Sequence, residues 1–447
     1  MISIIILGAG RSTSSLIEYL ATHSDHTKWK LTVVDIDKDT IYRKCNRYNN
    51  VLGVAEDLRN SEILDKWIQS GDIIVSMLPA FMHPLVANQC IKYSKHMVTA
   101  SYAGKEMKSL DERVREKDLI FMNECGVDPG IDHMSTMEII ERLRDEKSEI
   151  LSYESFTGGI LAPESAKTLW NYKFTWNPRN VVLAGAGSAV KFIQEGLYKF
   201  IPYNNLFRRT EFIKIPGYGR FEGYANRDSL KYISEYGLEG IPTMFRGTLR
   251  RPGFCRAWDV FVKLGATDDS YEMDNVSNMT HKSFINCFLA YHPTDSVELK
   301  LMHYLQIPQD SEIMNMLNDI NILSDEKVGL EKGTPAQILQ HMLEKRWTMG
   351  DGDIDMLVMW HRVYFRKNNS KYRLESSMVV KGKTIEDTAM AFTVGLPVAI
   401  ATRLVALNKI KSRGVILPMK KELYGPILSE LSKWGVRFDE RVIKVDD

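Results

Sequence analysis

The chain has 447 residues, more than one compact core accommodates, so two or three domains are expected. Its 44% hydrophobic and 26% charged residues are ordinary for a globular enzyme, and a net charge of +1 leaves neither a basic footprint for nucleic acid nor an acidic tail. The five cysteines (Cys45, Cys90, Cys125, Cys255 and Cys287) are scattered and form no C-x-x-C pair, which argues against a disulfide framework or a metal site; no bilayer-length apolar run or signal-peptide pattern stands out, so a cytoplasmic protein with no membrane and no nucleic-acid partner is expected.

Residues 1–125 alternate short apolar runs with helical patterns. The run at 3–7 reads as a buried strand, and 13–21 as a helix with Leu16, Ile17 and Leu20 on one face. Further strands are expected at 31–35, 72–76, 97–99 and 119–122. Strands alternating with helices predict a parallel sheet covered on both faces. Residues 151–265 hold Gly, Pro and aromatics in strand-like pieces, among them SYESFTGG and AWDVFVKLGA. From about 270 to 348 the pattern is helical, then DMLVMWHRVYFR and KYRLESSMVVKG alternate as a strand pair, and the chain turns helical again from Thr388.

The opening MISIIILGAGRSTSSLIEYL has the order strand, glycine turn, helix. Such a turn is an anion site, where backbone N–H groups and the helix dipole face a pyrophosphate. In G-x-G-x-x-G the first glycine makes the tight turn, the second lets the phosphate approach, and the third gives room for helix on strand. Gly8 and Gly10 supply the first two, and Thr13 stands where the third belongs. Taken alone, G-A-G is a weak signal, and a purely structural turn is the other reading. Asp35 ends the second strand where an acidic residue binds the ribose 2′-hydroxyl, and a carboxylate there repels a 2′-phosphate, so it favours NAD over NADP. A strand-end Asp in an Asx turn has the same appearance. Ser76, Met77, Leu78 and Pro79 close the fourth strand on the side where open α/β sheets bind ligands.

Three polar stretches follow. In TASYAGKE, Ser101 and Tyr102 come directly after a sheet strand, where a tyrosine hydroxyl can serve a reacting centre or the ring can simply pack. In NECGVDPGIDHM, Asp128-Pro129-Gly130 is a rigid turn into a helix that Asp132 could cap. Turn chemistry by itself accounts for Asp128. His133 has no second ligand at metal-site spacing and reads as structural. Arg227, in GYANRDS, and Arg246, Arg250 and Arg251, in MFRGTLRRPGF, form a set suited to carboxylate or phosphate recognition. Physics alone therefore reaches an NAD-binding oxidoreductase for a small carboxylated substrate.

Taken together, VSMLPAFMHPLVANQC, MVTASY, NECGVDPGIDHM, GGILAPES, NYKFTWNPRNVVLAG, GYANRDS, RGTLRRPGF and AMAFTVGLPVAIATRLV run in family order along nearly the whole chain. The sequence closely resembles the saccharopine reductases, the glutamate-forming saccharopine dehydrogenases that also occur within animal aminoadipic semialdehyde synthase. That family usually lacks the third glycine as well. The resemblance implies an α/β fold. A Rossmann-type parallel-sheet domain spans 1–126 and is completed by about 391–447. An α/β substrate-binding and dimerisation domain spans 127–265 and about 350–390, with an α-helical insertion at 266–349. It also implies a homodimer and a reaction of saccharopine with NAD, or possibly NADP, giving glutamate and 2-aminoadipate 6-semialdehyde, with no metal.

Carried over position by position, the resemblance places Ser101, Tyr102, Asp128, Arg227, Thr248, Leu249 and Arg250 at the substrate, bound between the first two domains, with Asp128 and Tyr102 as the proton-handling pair. It places Gly8, Ala9, Gly10, Arg11, Ser12, Thr13, Asp35, Ser76, Met77, Leu78, Pro79, Val127, Phe174, Thr175 and Trp176 at the cofactor. The chain departs from the family where S-Y-C-G-G-L-P-A-P-E becomes SFTGGILAPE, so Thr157 replaces a cysteine and Leu161 a proline. An Asn-Pro before the Y-K-F stretch is also lost, and Arg251 replaces a tyrosine. These changes leave two other readings open: a carboxynorspermidine reductase-like enzyme joining another amine and aldehyde, or an NAD-binding regulator without turnover.

Overall fold

The computed structural model describes residues 1–27, 29–184, 186, 189–226 and 228–445, with backbone only at 24–27. The chain begins with β1 (Ile2–Leu7), α1 (Ser14–Thr27), β2 (Trp29–Asp35), α2 (Lys38–Cys45), β3 (Val51–Ala55), α3 (Ser61–Ser70) and β4 (Ile73–Ser76). Next come α4 (His83–Tyr93), β5 (His96–Val98), α5 (Lys105–Lys108), α6 (Asp111–Glu116), β6 (Ile120–Met122) and α7 (Ile131–Asp145). The middle of the chain forms β7 (Glu149–Leu161), α8 (Pro178–Val182), β8 (Val190–Gln194), β9 (Leu197–Ile201), β10 (Thr210–Ile215), β11 (Gly219–Ala225), α9 (Ile233–Tyr236) and β12 (Thr243–Arg250). Helices α10 (Phe254–Leu264), α11 (His281–Asn286), α12 (Val297–Leu305), α13 (Glu312–Asp319) and α14 (Pro335–Trp347) follow, then β13 (Asp355–Lys367) and β14 (Ser370–Lys381). The last elements are α15 (Ala389–Ala406), β15 (Gly414–Ile416), α16 (Lys421–Lys433) and β16 (Phe438–Val445).

Two compact units emerge. The first comprises Met1–Glu149, Lys367–Asn369 and Met378–Asp439. Its seven-stranded sheet has the order β15-β6-β5-β4-β1-β2-β3, and every pairing is parallel. Ile4, Ile6 and Leu7 are wholly buried, as a strand covered on both faces requires. Strand order reverses at β1 and β4, so the ligand crevice of this sheet lies beyond their C-terminal ends.

This unit runs on to Glu149 instead of stopping at 126. Helix α7 packs on α16, where the Tyr424 hydroxyl donates to Glu141 Oε2 at 2.5 Å. The expected C-terminal completion also stops earlier, because residues from Glu440 onward belong to the second unit. There β16 joins the edge of the second sheet beside β14, and Arg441 Nε donates to Glu375 Oε2 at 2.8 Å.

The second unit comprises Ile150–Arg366, Ser370–Ser377 and Glu440–Asp447. Its main path is β10-β11-β12-β7-β13-β14-β16, with the β8–β9 hairpin attached to β12. Strands β12 and β7 run parallel, while β10, β11 and β12 are antiparallel. The helical stretch from α11 to α14 clusters with this unit and forms no separate body.

AWDVFVKLGA, expected as strand-like, lies in helix α10. Its apolar residues recur at helical spacing, so Phe254, Trp258 and Phe261 share a buried face. Gly265, at φ +84°, ends the helix in a left-handed conformation. Helix α15 corrects the expectation that no segment has membrane-spanning character. It is long and apolar enough by length and composition, yet it is mostly buried inside the first unit against α1.

Candidate active site

At the turn after β1, Gly8 has φ +96°, and a Cβ there would lie 2.9 Å from the Met77 carbonyl oxygen. Only glycine makes that close crossing of β1 and β4 without strain. Gly10 differs, with an ordinary negative φ and open space within 4 Å where its Cβ would be. The second glycine thus leaves the approach to the turn clear, as a pyrophosphate requires. These two observations show that the turn fits a dinucleotide.

Thr13 is buried, and its hydroxyl donates to the Gly10 carbonyl at 2.8 Å. It also accepts from Lys44 Nζ at 3.0 Å, and Lys44 donates to the Gly10 carbonyl as well. Burial, aided by the charge of Arg43, pushes the Lys44 amine down to about 8. Another helix packs closely on the start of α1. A Cβ at Gly395 on α15 would lie 2.3 Å from the Ser12 carbonyl oxygen. Thr13 itself is accommodated by the two hydrogen bonds of its buried hydroxyl.

Asp35 stands at the end of β2 beside this turn. Its carboxylate accepts the Ala9 N–H at 2.6 Å and the Asp37 N–H at 2.9 Å. A cavity of about 250 Å³ is lined by residues 10–13, 76–78 and 99–101, with Val394. Arg11, Ser12, Thr13, Ser76, Met77, Leu78 and Ser101 are therefore gathered around one space. Gly8, Ala9, Asp35 and Pro79 frame the turns without lining it.

Ser76 and Ser101 are linked by an unforeseen residue. His83, the first residue of α4, is 4% exposed, with Nδ1 2.9 Å from Ser76 Oγ and Nε2 2.7 Å from Ser101 Oγ. Burial pushes its pKa down to about 4, so the ring is neutral at physiological pH.

Tyr102 is 45% exposed, just beyond Ser101. Asp128 is half-buried at the tip of a loop that closes on itself, and Val127 beside it is buried. The Gly126 N–H donates to the Pro129 carbonyl at 2.9 Å, and a Cβ on Gly130 would collide with Gly126. Asp132 braces the turn by accepting the Gly130 N–H at 2.6 Å, before the helix proper begins. His133 Nε2 meets Glu124 Oε2 at 3.0 Å, and Glu124 Oε1 accepts the Ala103 N–H at 3.0 Å. This buried pair ties the segment carrying Tyr102 to the helix that follows Asp128. Among the described residues no group of three His, Cys, Asp or Glu is placed to hold a metal.

In the second unit, Thr248 and Arg250 alternate with Leu249 along β12, so the first two share one face. Arg250 is 3% exposed, and no described carboxylate pairs with it. Its Nη1 donates to the Leu249 carbonyl at 2.9 Å, while Nε has no partner. The guanidinium lies 5.0 Å from the Tyr172 ring centroid, 5.8 Å from Tyr224 and 5.3 Å from Phe254. Burial pushes the Tyr172 hydroxyl up to about 12, against the pull of Arg250.

Thr157 pairs with Thr248 across β7 and β12, and its buried hydroxyl has no partner. Leu249 contributes its carbonyl, since its side chain is wholly buried on the opposite face. Arg251 stands apart from this box, donating to the Tyr218 carbonyl at 2.9 Å and stacking over Phe221. Phe174 is a core aromatic against Trp347, Thr175 is buried, and Trp176 is half-buried. Arg227 lies outside the described residues.

Residues 4–122 match the family described as saccharopine dehydrogenase NADP binding domain, and residues 126–436 match saccharopine dehydrogenase C-terminal domain. The chain belongs to the saccharopine dehydrogenase family. Within that family, the saccharopine dehydrogenase (NADP(+), L-glutamate-forming) of Schizosaccharomyces pombe is 30% identical, with 99% of each chain covered. The mitochondrial alpha-aminoadipic semialdehyde synthase of Rattus norvegicus is 31% identical over 98% of this chain and 47% of its own length. The chain thus spans about half the length of the mammalian relatives it matches. A solved structure of apo saccharopine dehydrogenase (L-Glu forming) from Saccharomyces cerevisiae superposes with a TM-score of 0.89. It is 26% identical, and the match covers 99% of this chain and 100% of that one.

Several residues of the site escape sequence reasoning. Lys44 and Gly395 are distant in sequence from the turn they serve, and His83 sits inside an apolar-looking helix start. The aromatic box of Arg250 is drawn from three separate segments. The G-A-G spacing, the strand end at Ser76–Pro79 and the polar stretches around Tyr102, Asp128 and Arg250 are the local signals of the site.

Proposed function

We propose that the protein is a glutamate-forming saccharopine dehydrogenase that uses a nicotinamide dinucleotide. Saccharopine is a secondary amine bearing three carboxylates, and the observation that carries the reading is Arg250. A buried guanidinium with no carboxylate among the described residues, enclosed by aromatic rings, is a site for a ligand carboxylate. Family membership makes saccharopine the substrate to test.

The residues at positions 8–13 would hold the pyrophosphate, and 76–79 would border the nicotinamide. When bound, the nicotinamide supplies the acceptor for a hydride leaving the substrate's C–N carbon. Arg250, with Arg227, orients substrate carboxylates. We assign Ser101 to a substrate carboxylate, and Tyr102 and Asp128 to the proton transfers at the C–N bond. Loss of hydride leaves the substrate as an imine, to which water adds. Asp128 carboxylate oxygens and the Tyr102 hydroxyl take the proton from that water and return one to the departing amine. Saccharopine, NAD(P)⁺ and water thus give glutamate, 2-aminoadipate 6-semialdehyde, NAD(P)H and a proton. General acid–base help of this kind is worth roughly 10²–10⁴ in rate.

Asp35 favours NAD, whereas the family match and the fungal relatives name NADP. We assign both as usable cofactors, with Asp35 opposing the 2′-phosphate. Leu197, Tyr198 and Phe200 on β9 and Phe212 on β10 are well exposed, which supports a homodimer through the second unit. Light scattering on Phe200→Glu tests that assembly: an unchanged dimer removes β9 from the interface.

The functional test is nicotinamide absorbance with purified protein, saccharopine and either NAD or NADP. The expected result is a rise with glutamate, not lysine, as product. Turnover only with a diamine-derived substrate would favour a carboxynorspermidine reductase-like enzyme. Tight NADPH binding without any turnover would leave a regulator.

A further inference from the structure

We infer that His83 is a positioning residue that sorts the two serine hydroxyls of the cofactor cavity, making Ser101 a hydrogen-bond donor to ligand and Ser76 an acceptor. The inference rests on reading that cavity as the nicotinamide end of the site.

The geometry is specific. His83 sits between the ends of β4 and β5, with one ring nitrogen on each serine. Both serines line the cavity, and the imidazole is the sole side-chain partner of either hydroxyl among the described residues. No described carboxylate pairs with the ring, and burial lowers its pKa and keeps it neutral. A neutral imidazole has one N–H and one lone pair. One serine must therefore receive a hydrogen bond from the ring, and the other must donate to it.

Two arrangements exist, and they present opposite polarities. With the proton on Nε2, Ser101 accepts from the ring and keeps its own O–H free for the cavity. Ser76 then spends its O–H on Nδ1 and offers only lone pairs. With the proton on Nδ1, the roles reverse. Substrate carboxylates accept hydrogen bonds and cannot donate them, so a Ser101 that faces substrate must present its O–H. A cavity pre-organised for that contact holds the Nε2–H form before any ligand arrives. Ser76 is then left to accept, as the N–H₂ of a carboxamide would need. His83 touches neither ligand directly in this account; it acts through the serines.

The test begins with unliganded wild-type protein carrying ¹⁵N-labelled histidine. Long-range ¹H–¹⁵N spectra between pH 6 and 8 are expected to show His83 as a single neutral Nε2–H tautomer. An imidazolium, an Nδ1–H form or averaging between tautomers would overturn the inference, whatever the substrate proves to be. Kinetics supply the second arm. His83→Phe keeps ring bulk and removes both bonds, and Ser101→Ala removes the donor. Each is expected to raise KM for saccharopine by about 10-fold, with a smaller change in kcat. The double variant is expected to be no worse than either single one, and His83→Gln, which restores a donor toward Ser101, should recover most of the loss. Additive losses, or no rescue by His83→Gln, would reduce His83 to a packing residue. If saccharopine is not turned over at all, the kinetic arm condemns the functional reading, while the tautomer measurement still judges the role of His83.

Discussion

The turn after β1 and the box around Arg250 solve the problem of holding an anion in opposite ways. At the turn, charge is met by backbone N–H groups and a helix end, and the side chains that matter are those that are missing. Gly8 avoids the Met77 carbonyl, Gly10 leaves open space, and Gly395 lets α15 reach the Ser12 carbonyl. On β12 one long side chain carries a full positive charge into a buried aromatic box with no counter-ion among the described residues. The first arrangement is complete before ligand arrives. The second holds an unpaired buried charge, costly until a carboxylate reaches it. Backbone sites are thus broken by adding atoms, and side-chain sites by removing them.

The largest effect is expected where chemistry is added to binding. Asp128→Ala should lower turnover by roughly 10²–10⁴ while NADPH affinity, read by fluorescence titration, stays near wild type. A fully active variant would remove Asp128 from the mechanism. Next come the two glycines. Gly395→Ala forces a Cβ against backbone, and a stability loss of about 1–3 kcal/mol is expected from denaturant midpoints. Gly10→Ala meets nothing within the protein, so its stability should match wild type while cofactor affinity falls. Equal stability losses in both would break the distinction between a packing glycine and an approach glycine. The smallest effect belongs to Asp35→Ala, which should raise the NADPH-to-NADH ratio of kcat/KM by up to roughly 10-fold. An unchanged ratio would mean that the Asp35 carboxylate serves only the Ala9 and Asp37 N–H groups.

Legibility in the sequence followed the same division. The parallel sheet could be read because its strands are short apolar runs buried on both faces, and the turn because its glycines are adjacent. Thr13 breaks the fingerprint in the sequence because the lysine that bonds its hydroxyl lies on α2, more than thirty residues along. AWDVFVKLGA was misread because β-branched and aromatic residues dominate α10, and only its helical spacing reveals the buried face. Residue type alone does not separate Arg250 from Arg251 next to it, and only the family resemblance singles out Arg250. Alternation along and beyond the strand sends one into the aromatic box and the other to the Tyr218 carbonyl. The Glu124–His133 brace spans nine residues of NECGVDPGIDHM, but no periodicity there shows that the loop turns back to bring the two side chains together.

The most direct measurement is thermal unfolding of wild type and Arg250→Met, each with and without saccharopine in the presence of cofactor. If Arg250 is an unpaired cation reserved for a substrate carboxylate, unliganded Arg250→Met will melt at or above the wild-type temperature. Saccharopine will then raise the melting temperature of wild type and leave the variant unmoved. A variant that melts well below wild type yet is still stabilised by saccharopine would contradict the account.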